Sequence, residues 1–204
     1  MPAVRSYYVR KWRKLSLAVV ALCLSACVSS SPYKSDAAHP IRAVTISKDV
    51  PMPKKMIFVG LSEQFAGMFG GVAGALSTMY REGETFNLPE VLRADLAAEL
   101  ATGGRFKVVP SAADAEIRIH VREYGFMSAR GFMRKHVKPI LTIETQMVRR
   151  DGTTVWQSGV VINQNTKSTP EVLPEDLKNN PKIAANALHS AAKAWATKTA
   201  ASLK

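Results

Sequence analysis

Two rhythms of hydrophobic and polar residues divide this chain. Across residues 115–124 the alternation is strict: Ile117, Ile119 and Val121 fall on one side, Arg118, His120 and Arg122 on the other. A period of two belongs to a strand with one face buried and the other wet. Shorter apolar runs at 41–46, 56–59 and 106–109, and longer ones at 140–148 and 153–162, read as further strands. Pro51 and Pro53 separate the first two, because proline has no N–H to give to a central ladder. Arg150-Asp151-Gly152-Thr153 joins the last two as a hairpin, since Asp-Gly accepts the primed turn that matches strand twist.

A period near four takes over at Leu88, Leu92, Leu96 and Leu100, the apolar stripe of a helix. Asn87 caps it, Pro89 suits its first turn, Glu90 follows the cap by three residues, and Gly103-Gly104 ends it. A second helix covers about 181–202 behind Asn180. Its buried side is Ile183, Ala187, Leu188, Ala191, Ala192 and Trp195, while Lys182, Lys193 and Lys198 stay in water. This order of elements predicts an α+β fold: an antiparallel sheet of about four to five strands with two helices on one face.

The N-terminus follows neither rhythm. Residues 1–14 hold Arg5, Arg10, Lys11, Arg13 and Lys14 and no acid; an apolar run at 15–24 and the small residues Ser25 and Ala26 follow. That is a secretory signal peptide, too short for a transmembrane helix. Leu24-Ser25-Ala26-Cys27 resembles the lipobox of bacterial lipoproteins. The resemblance implies cleavage before Cys27 and acylation of its thiol and new amine (a diacylglycerol and a fatty acid such as palmitate). Val28 rather than Asp after the cysteine resembles outer-membrane sorting, with the domain facing the periplasm. Several acyl chains, at about 0.8 kcal/mol per buried methylene, make a durable anchor. The organisation expected is therefore a signal peptide at 1–26, a lipidated cysteine and a flexible Ser- and Pro-rich tether at 27–40, and a single α+β domain at 41–204 with a Gly-rich insertion at 61–80.

Processing changes the charge. The whole chain carries 28 Lys and Arg against 16 Asp and Glu, a formal +12. The signal peptide removes five of the basic residues and none of the acids, which leaves +7 on the mature chain. Cys23 leaves too, and Cys27 is acylated, so no cysteine pair remains for a disulfide. Export also takes nucleic acid off the set of partners. The available ones are the membrane itself, an envelope protein and an anionic glycolipid.

Three features are candidates for function. Between 118 and 150 stand Arg118, Arg122, Arg130, Arg134, Lys135, Lys138, Arg149 and Arg150 against Glu123 and Glu144. Arginine grips phosphate and carboxylate bidentately, so the first six of these are the expected partner-binding residues, on a basic sheet face and loop. In the Gly-rich run, Gly67 and Gly71, then Gly70 and Gly74, are four apart, the spacing of close-packed membrane helices. The uncharged stretch 64–80 would serve insertion or self-association in a membrane-associated oligomer. His39, His120, His136 and His189 show no metal-type spacing, and no metal or cofactor is expected. Gly-x-Ser-x-Gly, phosphate-loop and His-Glu-x-x-His patterns are missing, so catalysis is not expected.

The run 88–162, with Gly104-Arg105-Phe106-Lys107-Val108-Val109, Ala113-Asp114-Ala115-Glu116-Ile117 and Asp151-Gly152-Thr153-Thr154-Val155-Trp156, resembles the small α/β domains of envelope lipoproteins. It is similar in kind to the TolB N-terminal domain, the curli secretion lipoprotein and the lipoprotein activators of peptidoglycan synthases. The resemblance implies binding and assembly work and transfers no site residues.

Overall fold

Residues 32–59, 86–129 and 136–204 are described by a computed structural model of the chain. They hold β1 (Ala43–Ile46), β2 (Ile57–Val59), α1 (Leu88–Gly103), β3 (Lys107–Val108), β4 (Ala115–Ser128), β5 (Val137–Arg149), β6 (Thr154–Ile162), α2 (Pro174–Asn179) and α3 (Pro181–Ser202).

The fold is α+β, but the sheet is mixed rather than antiparallel. Its order is β3-β1-β4-β5-β6, with β2 also paired to β4. β5 runs antiparallel to both β4 and β6, as the Asp-Gly hairpin requires. β1 runs parallel to β3 and to β4, and β2 runs parallel to β4. Alternation marks a strand and its faces but not its direction. The link from β1 to β3 contains α1, and a parallel pair needs such a long crossover.

β1 and β2 share one edge of β4 end to end, β1 at 115–117 and β2 at 125–127. Between them the Val121 N–H donates to the Pro51 carbonyl at 2.9 Å, and β4 breaks register between Val121 and Glu123. Gly125 is required here. Its φ is +150°, and a Cβ on it would collide with the Ile57 carbonyl of β2. Pro139 is tolerated in β5 because β6 pairs only from Leu141 onward, so the missing N–H lies beyond the end of the neighbouring strand.

Local chemistry builds α1 as the leucine stripe requires. Asn87 Oδ1 accepts the Glu90 N–H at 3.3 Å, Gly104 takes the left-handed φ of +68°, and all four leucines are buried. α3 packs along α1 and over β5 and β6. Its inner side is largely alanine, including Ala184, Ala187, Ala191 and Ala192, which lets it approach closely, with Trp195 filling the space left. Ile117, Ile119, Val121, Ile143 and Met147 complete the main core from the sheet side. Phe126, Val137, Leu177, Ala184, Ala187 and Leu188 form a second, smaller core. Leu177 comes from α2, a third helix; at six residues it is too short to show a period.

The folded unit reaches back into the stretch expected as a tether. Tyr33 is only 7% exposed. Its ring meets Phe106 edge-on at 5.7 Å, and the Arg105 guanidinium lies 4.8 Å over it. Its N–H donates to the Ser202 carbonyl at 3.1 Å, which ties it to the end of α3. Ile41 is buried, and Asp114 Oδ2 accepts the N–H groups of Arg42 and Ala43 at 2.8 and 2.9 Å, fastening β1 beside β4.

Candidate functional site

Strand geometry gives the sheet its second face. With Ile117, Ile119 and Val121 turned to the helices, Glu116, Arg118, His120 and Arg122 must point the other way. β5 adds Thr142, Glu144 and Gln146, because Arg118 registers with Gln146 and His120 with Glu144. Ser47, Asp49 and Pro51, after the end of β1, wall one side. All of these residues but Thr142 line a cleft of about 470 Å³.

The expected basic face carries both signs. Arg118 Nε lies 2.8 Å from Glu116 Oε2, and Arg122 Nη2 lies 2.6 Å from Glu144 Oε2. A second nitrogen of Arg122 is 3.5 Å from His120 Nε2. The hydrogen bond from Arg122 holds the Glu144 carboxyl below the usual carboxylate range, against the opposing effect of its partial burial. The same bond raises Arg122. Both guanidinium side chains remain about half exposed, at 58% and 49%, so water competes for both partners and the pairs add little to stability. They chiefly fix where the arginines stand.

The structure disperses the other candidates. Lys138 is buried at the far end of β5, where Nζ donates to the Thr166 carbonyl at 3.2 Å and lies 4.0 Å from Glu171. Arg149 pairs with Asp36 at 3.4 Å, and Arg150 Nε donates to the Ala113 carbonyl at 2.7 Å, both at the opposite end of the sheet. Arg130, Arg134 and Lys135 lie outside the described residues, as do Cys27 and Gly67, Gly70, Gly71 and Gly74. The glycine run connects to the rest of the chain at Val59, which registers with Met127, and at Phe86, just before α1.

Counting charge over 118–150 leaves out Glu116 and includes Glu144 without showing its partner. Glu116 stands two positions before Arg118 and so shares its face, a signal present in the alternation. The pairing of Glu144 with Arg122 becomes visible only once the β4–β5 register is known. The other histidines are scattered: His39 lies 3.2 Å from Asp36 and His189 lies 3.5 Å from Asp95. Among the described residues no group of three or more His, Cys, Asp or Glu is placed to hold a metal ion, and no helix is long and apolar enough to cross a membrane.

No protein-family model matches the chain, and no curated protein sequence matches it. Solved structures with similar outlines do exist. A DUF330 protein from Xanthomonas campestris is 10% identical with a TM-score of 0.47, over 84% of this chain and 88% of that one. PelC from Paraburkholderia phytofirmans, a dodecamer, is 11% identical with a TM-score of 0.43, over 88% and 99%. A minor lipoprotein from Acinetobacter baumannii is 12% identical with a TM-score of 0.38, over 79% and 94%. Likeness at these values carries no argument about function.

Proposed function

We propose that this protein is a lipid-anchored accessory or assembly factor of the cell envelope that works by binding rather than catalysis. Acyl chains on Cys27 hold it in the outer membrane, the domain faces the periplasm, and the polar sheet face docks an anionic partner. The observation that carries this reading is Leu24-Ser25-Ala26-Cys27 directly after a basic n-region and an apolar run of signal-peptide length. The resemblance of residues 88–162 to envelope lipoprotein domains supports the same conclusion.

The ion pairs make the docking face selective. Glu116 and Glu144 hold Arg118 and Arg122 in fixed positions, 2.8 and 2.6 Å away, while half of each side chain stays in water. A partner carboxylate or phosphate of matching geometry takes the free donors, or displaces the internal carboxylate by binding bidentately. Such exchange favours a matched anion over a diffuse one and weakens as salt rises. Arg130, Arg134 and Lys135, between β4 and β5 in the chain, are assigned to the same docking set from the sequence.

Cross-linking in intact cells, followed by identification of the captured protein or glycolipid, tests the reading. The triple variant Arg118→Glu/Arg122→Glu/Arg134→Glu loses the partner while staying folded and membrane-bound. Undiminished capture by that variant contradicts the docking assignment.

A further inference from the structure

We infer that the end of the domain around Tyr33 is a bilayer-facing surface that meets anionic phospholipid headgroups. The inference rests on the proposed acylation of Cys27 and adds to it an orientation and a lipid preference.

Chain length sets the distance. Tyr33 is the first buried side chain after Cys27 among the described residues, six positions along. Six residues span at most about 20 Å even when fully extended, at 3.3–3.6 Å each. A domain on an unstructured tether through residue 40 would sample every orientation. A domain pinned at Tyr33 by Phe106, Arg105 and the Ser202 carbonyl does not. Its Tyr33 end must stay near the lipid surface.

The topology then says what that end contains. β1, β3 and β4, mutually parallel along the sheet, begin there, β5 ends there, and the Tyr33–Ser202 bond places the end of α3 there. The adjoining exposed cations are Lys34, Arg42, Arg105, Lys107, Arg150 and Lys204. Their nearness is shown by contact. Lys107 N–H donates to the Arg42 carbonyl at 2.8 Å, Arg105 donates to the Leu203 carbonyl at 3.0 Å and to that of Lys204, and Lys204 reaches to Gly103. Three aspartates share this end, each already engaged, and the main-chain oxygen of Lys204 takes the Arg105 guanidinium. Asp114 accepts the Arg42 and Ala43 N–H groups, Asp151 accepts the Thr153 N–H, and Asp36 accepts the Ala38 N–H and pairs with Arg149. The excess is positive, and it lies where the leash holds it against the headgroups. Basic residues within a Debye length of an anionic leaflet are attracted to it, whereas a zwitterionic leaflet offers little.

The sheet then stands on end over the membrane, with Glu116, Arg118, His120 and Arg122 facing sideways along it and α2 far from the lipid. The glycine run connects to the rest of the chain at that distal end.

The test uses the lipidated protein in vesicles of phosphatidylcholine with a quarter phosphatidylglycerol, and in phosphatidylcholine alone. Fluorophores are placed at Thr102→Cys, near the Tyr33 end, or at Ser168→Cys, near the other, and a headgroup quencher reports proximity. In the anionic vesicles Thr102→Cys is quenched several-fold more than Ser168→Cys. The double variant Lys34→Glu/Lys107→Glu lowers that quenching to the level in neutral vesicles. Equal quenching at the two positions in protein whose mass shows the acyl chains overturns the orientation and leaves the anchor standing. The same quenching in anionic and neutral vesicles overturns the lipid preference. Protein recovered from cells with an unmodified Cys27 overturns both the anchor and this inference.

Discussion

Ile119 and His120 are adjacent on β4, yet they live under different physics. Ile119 is 1% exposed beneath the helices, while His120 shares an open cleft with Arg122 and Glu144. The inward face is held by apolar area removed from water and by shape, and it tolerates no change of volume. The outward face is held by pairs whose net energy is small because water competes for both partners. One face therefore fixes the fold and leaves the other free to be chosen for what it binds. Stability and the proposed docking are then separable by residue parity along a single strand.

Trp195→Ala should be the harshest way to break that division. It removes the largest fully buried side chain, from the helix that spans β5 and β6, and should cost about 3–5 kcal/mol in a denaturant titration. Thr145→Val with Ser158→Ala sharpens the division from the other direction. These two register partners sit on the covered face with hydroxyls that have no hydrogen-bond partner. Apolar replacements of similar shape should raise stability by about 1 kcal/mol. Arg122→Ala should leave the denaturation midpoint almost unchanged, yet reduce partner capture sharply.

Acid titration gives the smallest effect and has a definite sign. Glu144 is lowered by its hydrogen bond from Arg122, and Asp114 by those from the Ala43 and Arg42 N–H groups. The folded state therefore holds fewer protons than the unfolded one in this range. The stability these groups contribute is complete above the unfolded values near pH 4 and is lost as the pH falls through the lower folded ones. Glu144→Gln should flatten part of that acid limb in denaturant titrations run at stepped pH.

Much of this architecture can be read from residues. The Leu88–Leu100 stripe, the Asn87 cap, the Asp151-Gly152 turn and the inward set of β4 are local facts, and local periodicity reports them. Strand direction is not local, so three parallel pairings read as antiparallel ones. Gly125 and Pro139 look like strand ends in sequence and are interior to β4 and β5 in space, because β2 pairs closely beside one and β6 stops short of the other. The same limit applies to the site. Arg118, His120 and Arg122 share a face by parity alone, whereas the neutralising role of Glu144 depends on register. Tyr33 lies in a Ser- and Pro-rich stretch without rhythm, and only its burial against Phe106 and the end of α3 marks it as part of the folded unit.

The most direct test of the central claim is membrane fractionation of cells making the natural protein or Cys27→Ala, with the intact mass measured in each fraction. The account predicts that the natural protein partitions with outer membranes and carries the mass of its acyl chains, while Cys27→Ala is recovered without them and off the membrane. Membrane-bound Cys27→Ala, or natural protein bearing an unmodified Cys27, would contradict it.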